Sequence, residues 1–83
     1  MYTKHAKIRM KQRGLEPLVV DLLLSYGVEQ HDKRGGTRRY FDKLSRRRVQ
    51  RAIGRRVFKR LEDLLDAYLI EQDGHIITVG WRH

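Results

Sequence analysis

The chain has no cysteine, one proline and one tryptophan in 83 residues. Without cysteine, disulfide staples, thiolate nucleophiles and thiolate metal sites are excluded, and the fold must hold by packing alone. No apolar run approaches the ~18 residues that a membrane span needs, and Met-Tyr-Thr-Lys-His does not open a signal peptide. The expectation is a cytoplasmic protein with no membrane partner. Carboxylates are scarce where charge is densest: residues 33–60 hold 13 basic side chains and a single acid, Asp42. No Asp-x-Asp or Glu-x-Lys pattern occurs anywhere, which argues against a two-metal nuclease. The four histidines lack metal-ligand spacing, and His31, His75 and His83 read as solvent-exposed. Ser25 and Ser45 lack a nucleophile-elbow context, and Gly35-Gly36 is too short a signal for a phosphate loop. Neither metal nor cofactor is expected.

What is present points to one small basic domain spanning residues 1–83. Hydrophobic residues make up 40% of the chain and fall in regular patterns, so 35% charged residues do not imply disorder. The formal charge of +9 is uneven, because residues 33–60 alone carry +12. Such a block attracts phosphate polyanions and gains from the counterions they release, which makes RNA the first expected partner.

Thr3 caps a first helix that runs to about Arg13, with Gly14 as its left-handed stop. Pro17 opens a second, apolar helix carrying Leu18, Val19, Leu22, Leu23 and Tyr26, and Gly27 ends it. Val28 to Lys33 and Thr37 to Asp42 read as a hairpin around Arg34-Gly35-Gly36. Ser45 is expected to cap a basic helix with Val49, Ile53, Val57, Leu61 and Leu64 on one stripe and Arg47, Arg48, Arg51, Arg55 and Lys59 opposite. Gly54 offers an alternative in which a second short helix, with Phe58, Leu61 and Leu65 inward, begins after it. Ala67 to Gln72 and His75 to Trp81 form a hairpin closed by Asp73-Gly74.

A regular two-residue loop in that last hairpin pairs Gln72 with His75, Ile70 with Ile77, Leu69 with Thr78 and Tyr68 with Val79. Tyr68, Ile70, Ile77, Val79 and Trp81 then share the core face, and Leu69, Ile76, Thr78, Gly80 and Arg82 the other. Gly80 leaves room for something to lie over the strand. The fold class is α+β: two N-terminal helices and a basic helix covering one face of a small, mostly antiparallel sheet of about four strands.

His5, Arg9 and Arg13 recur every fourth residue within about 80° of helix arc, beside the apolar Ala6 and Met10. A solubilising charge belongs on the far side, so this row at the core margin reads as the lining of a cleft. Imidazole beside guanidinium suits phosphodiester cleavage, because His exchanges a proton near neutral pH and Arg grips phosphate oxygens in a fork. RNA brings its own nucleophile, the 2′-hydroxyl, so neither metal nor covalent enzyme group is needed. Tyr40, in Arg38-Arg39-Tyr40-Phe41, is a candidate for base stacking or proton transfer. Arg38, Arg39, Arg47, Arg48, Arg51, Arg55, Lys59 and Arg82 are the candidate nucleic-acid contacts.

The segment His5-Ala6-Lys7-Ile8-Arg9-Met10-Lys11-Gln12-Arg13-Gly14-Leu15, with Ile77-Thr78-Val79-Gly80 late in the chain, resembles the family called domain of unknown function 4258. That family is grouped with the RelE and barnase/EndoU/colicin-type nuclease fold and is regarded as one of toxin ribonucleases. The resemblance implies a RelE-like domain, catalytic roles for His5, Arg9 and Arg13 on the helix and Thr78 on the strand, and an acidic antitoxin as partner. Two other readings stay open from the residues themselves: a non-catalytic nucleic-acid-binding module, and a basic interaction protein for an acidic partner.

Overall fold

A computed structural model describes residues 2–82, so His83 lies outside the described residues. Helix α1 (Lys4–Gln12) starts where the Thr3 side chain accepts the Ala6 amide, and the chain leaves it through Gly14 at φ 63°. Helix α2 (Pro17–Tyr26) has proline in its first turn and sends Val19, Val20, Leu22 and Leu23 into the core. Strands β1 (Val28–His31) and β2 (Thr37–Tyr40) form the first hairpin, and β3 (Ala67–Gln72) and β4 (His75–Trp81) the second. The four strands lie in sequence order, each antiparallel to its neighbour. The domain is therefore α+β, with α2 packed against β2 and β3 and α1 lying along β4. His31 and His75 are exposed.

The basic segment departs from expectation at both ends. Asp42, not Ser45, is the N-cap of α3 (Lys43–Ile53): its carboxylate accepts the Ser45 amide at 2.8 Å while the Ser45 hydroxyl accepts the Asp42 amide at 2.8 Å. Ser45 sits three residues inside this reciprocal box and is buried, because its hydroxyl serves the cap rather than solvent. Gly54 then breaks the helix at φ 87°, ψ 158°, a backbone region open essentially to glycine alone. Helix α4 (Arg55–Leu61) comes next, and a 3₁₀ turn (Glu62–Asp66) leads into β3. The break turns Phe58 toward the core and leaves Val57 46% exposed, so a single continuous stripe does not form.

The last hairpin contains a second departure, and it changes which face is which. Asp73 and Gly74 close it with φ of 52° and 79°, the turn geometry that matches strand twist. Gln72 faces His75 as expected and Glu71 faces Ile76, but Ile70 then faces Thr78, Leu69 faces Val79, Tyr68 faces Gly80 and Ala67 faces Trp81. Ile77 is the extra residue of a β-bulge. Through it Ile76 and Val79, three positions apart, are both buried on the helix-covered side. Leu69, expected outside, is fully buried with Ala67, whereas Tyr68 and Ile70, expected inside, are half-buried on the opposite face. Val79 and Trp81 keep to the core side, and Thr78 and Gly80 keep to the other.

The Asp42 cap makes stability pH-dependent. Hydrogen bonds from the Ser45 amide and then the Ser45 hydroxyl hold the Asp42 carboxyl below its ordinary value of 3.8. A carboxyl with the lower pKa in the folded state stabilises fully above its ordinary range, and that contribution is lost as pH falls through the lowered value. Asp42→Asn keeps a good cap without the titration, so it should flatten the loss of thermal stability below about pH 4. An acid titration of the unfolding midpoint reads this directly, and equal slopes for the two proteins would count against the cap.

Candidate functional site

The geometry starts from α1 and its two flanks. At about 100° per residue, Ala6 faces inward, Lys7, Met10 and Lys11 fall on one flank, and His5, Arg9 and Arg13 fall on the other. The first flank, with Tyr2, Leu15 and Pro17, borders an open, mostly apolar groove of about 560 Å³ that contains neither histidine nor arginine. The second flank runs beside β4. The Thr3 amide donates to the Ile76 carbonyl at 3.0 Å at one end of α1. At the other end the Arg13 guanidinium donates to the Val79 carbonyl at 3.0 Å, and the Trp81 indole donates to the Arg13 carbonyl at 2.8 Å. Helix and strand are thus tied together, both running the same way.

Arg13 reaches the outer face of the sheet only because residue 80 is glycine. A Cβ there would collide with the Arg13 guanidinium and come within 2.9 Å of the Tyr68 ring edge and hydroxyl. Register places Val28, Tyr40, Tyr68 and Gly80 in one row across the four strands. Arg38, one pair along, lies over both rings, at 5.0 Å from the Tyr68 centroid and 5.6 Å from that of Tyr40. Arg82 lies 4.4 Å over Tyr40 and donates to the Phe41 carbonyl at 3.3 Å. Each such contact is worth about 0.5–1 kcal/mol when exposed, enough to hold a guanidinium in place and little enough to be displaced. Arg13, Arg38 and Arg82 have no carboxylate partner among the described residues.

His5 is exposed, and its Nε2 accepts from the Arg9 Nε at 3.4 Å. Arg9 also donates to Gln12 Oε1 at 3.5 Å. Eight residues of helix put His5 about 12 Å from Arg13 along the axis, so the two do not meet on one group. Thr78 lies on the outer face two residues before Gly80, between the ends of the row.

The structure therefore brings Arg13, Arg38, Tyr40 and Arg82 together, with Thr78 on the same face and His5–Arg9 along its edge. It separates Arg39 from them. One residue from Arg38 along β2, Arg39 points to the helix-covered side, where it bonds Glu71, pairs with Glu29 at 2.8 Å and donates to the Leu24 carbonyl at 3.4 Å. Arg39 is a sheet cross-link, and strand alternation is the reason. Arg47, Arg48, Arg51, Arg55 and Lys59 are all exposed on α3 and α4. Arg47, Arg51 and Arg55 share one shallow groove, and Arg55, Arg56, Lys59 and Arg60 another. Tyr68 is the residue that sequence reasoning missed; its signal, a second aromatic in a strand facing Tyr40's, was masked by the bulge. Among the described residues no three His, Asp or Glu side chains converge as metal ligands would. No protein-family model matches the chain, and no curated protein or solved structure matches it.

Gly80→Ala tests the crossing. The atoms in the way are the end of the Arg13 side chain and, less severely, the ring edge and hydroxyl of Tyr68. All are side chain and none backbone, so the domain should stay folded while Arg13 leaves the face and the Tyr68 ring gives slightly. Affinity for a short RNA oligonucleotide is expected to fall about 10- to 150-fold, the equivalent of a charged hydrogen bond of about 1.5–3 kcal/mol. Undiminished affinity in a folded variant takes Arg13 out of the site.

Proposed function

We propose that this protein is an endoribonuclease of the toxin type that cleaves RNA by 2′-hydroxyl attack, with no metal ion in the reaction. The observation that carries the reading is the Arg9–His5 hydrogen bond, set in a row whose last member, Arg13, crosses Gly80 onto an outer sheet face rich in unpaired cations. His5 takes the 2′-proton through Nε2. The 2′-oxygen bonds to phosphorus, the bond to the 5′-oxygen breaks, and that oxygen takes a proton from water as it leaves, giving a 2′,3′-cyclic phosphate and a 5′-hydroxyl. Arg9 gives up its bond to that nitrogen as the 2′-hydroxyl takes its place, and its guanidinium stabilises the charge on the scissile phosphate. Arg13, about 12 Å along the helix, holds a neighbouring phosphate instead of the scissile one. Thr78 and Tyr40 border the path between them. The exposed cations of α3 and α4 hold the flanking backbone, and in a toxin–antitoxin pair an acidic antitoxin would cover the same charges.

The His5 variant decides between cleavage and binding alone. His5→Ala should lower the cleavage rate about 10²–10⁴-fold and Arg9→Ala about 10²–10³-fold, with products ending in cyclic phosphate and turnover persisting in excess chelator. Arg9→Lys keeps charge but loses the fork, so a strong defect identifies a two-point phosphate contact. Normal cleavage by folded His5→Ala, or arrest by chelator, overturns the mechanism and leaves a binding module.

Binding to the basic helices has its own signature. Each phosphate neutralised contributes about 0.7 to the slope of log affinity against log salt on single-stranded RNA. Replacing Arg47, Arg51 and Arg55 by Glu should flatten that slope by about two and weaken binding severely, without unfolding, since none of the three is buried. An unchanged slope in the folded triple variant removes α3 from the contact surface.

A further inference from the structure

We infer that the Tyr40–Tyr68 pair is a nucleobase platform, and that the strand it accepts is therefore unpaired RNA; this rests on the reading of the outer sheet face as an RNA site. Tyr40 and Tyr68 are direct register partners, so their rings stand side by side on neighbouring strands. Neither is in the core: both are half-buried on the face away from the helices. What lies over these rings is guanidinium, a cover that a planar ligand can displace, and the groups around them define its chemistry. Arg38 and Arg82 lie over the rings, and Arg13 lies at the end of the same row, across Gly80 from Tyr68. Flat apolar faces ringed by cations without carboxylate partners fit a ligand that is aromatic and anionic at once, which is what a nucleotide is.

The spacing supports the same occupant. Tyr68 and Gly80 are on adjacent strands, about 4.8 Å apart, and Arg13 lies just over Gly80. A phosphate held by Arg13 therefore has its own base within reach of Tyr68. Arg38, at 5.0 Å from that ring, is the group the base displaces, and its released guanidinium is placed to meet the next phosphate. In a duplex each base is already covered on both faces by its neighbours, so only an unpaired strand can offer one to the platform. A flat tyrosine pair reads no hydrogen-bonding edge, so the platform selects strandedness over sequence.

The test uses the intact protein and RNA with 2′-O-methyl groups, which cannot be cleaved, so it does not depend on whether cleavage occurs. Stacking of one base is worth about 5- to 150-fold in affinity. A short single-stranded oligonucleotide should bind the wild type tighter than the same sequence in a duplex by that factor, measured by fluorescence anisotropy. Tyr68→Leu should erase the preference by weakening the single strand alone, Tyr68→Phe should keep it, and an oligonucleotide lacking its bases should bind the wild type and Tyr68→Leu equally. Tyr40→Leu provides a second route if Tyr68→Leu fails to fold. Equal wild-type affinity for single strand and duplex overturns the platform, as does a folded leucine variant that still prefers the single strand. So does loss in Tyr68→Phe as large as in Tyr68→Leu, because the hydroxyl would then be the contact. A His5→Ala protein that cleaves normally would overturn the mechanism above without touching this result.

Discussion

One extra residue in the last strand decides which side of the sheet becomes the interior. Strict alternation cannot bury both Ile76 and Val79, because they are three positions apart. The bulge at Ile77 lets both point inward, into the core beside α1, and it carries Leu69 and Ala67 in with them on the paired strand. The cost is a locally interrupted ladder and a stronger twist. The bulge thereby sets the composition of the outer face: Tyr68, Ile70, Thr78 and Gly80 are outside because Leu69, Ile76 and Val79 are inside. The carbonyls of Ile76 and Val79, on the strand edge next to α1, then serve as the two anchor points for Thr3 and Arg13.

Charge is organised by the same partition. Among the described residues, Glu29, Glu71 and Asp66 are placed where they fix a particular arginine: the first two hold Arg39 beneath α2, and Asp66 holds Arg46 at 2.6 Å where α3 meets the start of β3. Among the same residues, the remaining cations of the middle third have no carboxylate within ion-pair distance. Their mutual repulsion works against the compact state, and a polyanion laid across them relieves it. The acids thus secure the frame, and the arginines they leave free stand as uncompensated charge on the surface.

How much of this could be read from the residues depends on whether the signal is local. Thr3, Gly14, Pro17 and Asp73-Gly74 announce helix and hairpin ends through their own backbone or side-chain chemistry, and the structure puts the ends there. Asp42 and Ser45 both suit a cap, and only the geometry of the reciprocal box shows which is first and which is third. Gly54 is local too, but a glycine tolerates helix and break alike, so Phe58 and Val57 decide it by packing. The bulge has no residue that declares it. Its position depends on which pair of apolar side chains the helices can cover, a tertiary fact, and that is why Tyr68 looked like core. Arg38 and Arg39 carry the same lesson: identical neighbours in sequence, with opposite tasks set by a face that only the whole sheet defines. The His5–Arg9–Arg13 row was legible because helical periodicity is short-range, whereas its reach onto Gly80 was not.

The tie between α1 and β4 joins the first helix of the fold to its last strand. The groups gathered around the outer face come from residues 5–13 and from residues 78–82, with Tyr40 and Tyr68 between them in sequence. A chain emerging from the ribosome presents His5, Arg9 and Arg13 early, on a short helix with nothing to lie against. The Val79 carbonyl that Arg13 bonds is made 66 residues later. Contacts of such sequence separation form late and slowly in folding, so the site comes into being only when synthesis of its strand is complete. A nascent chain still in the act of translation carries the parts of the site but not the site itself.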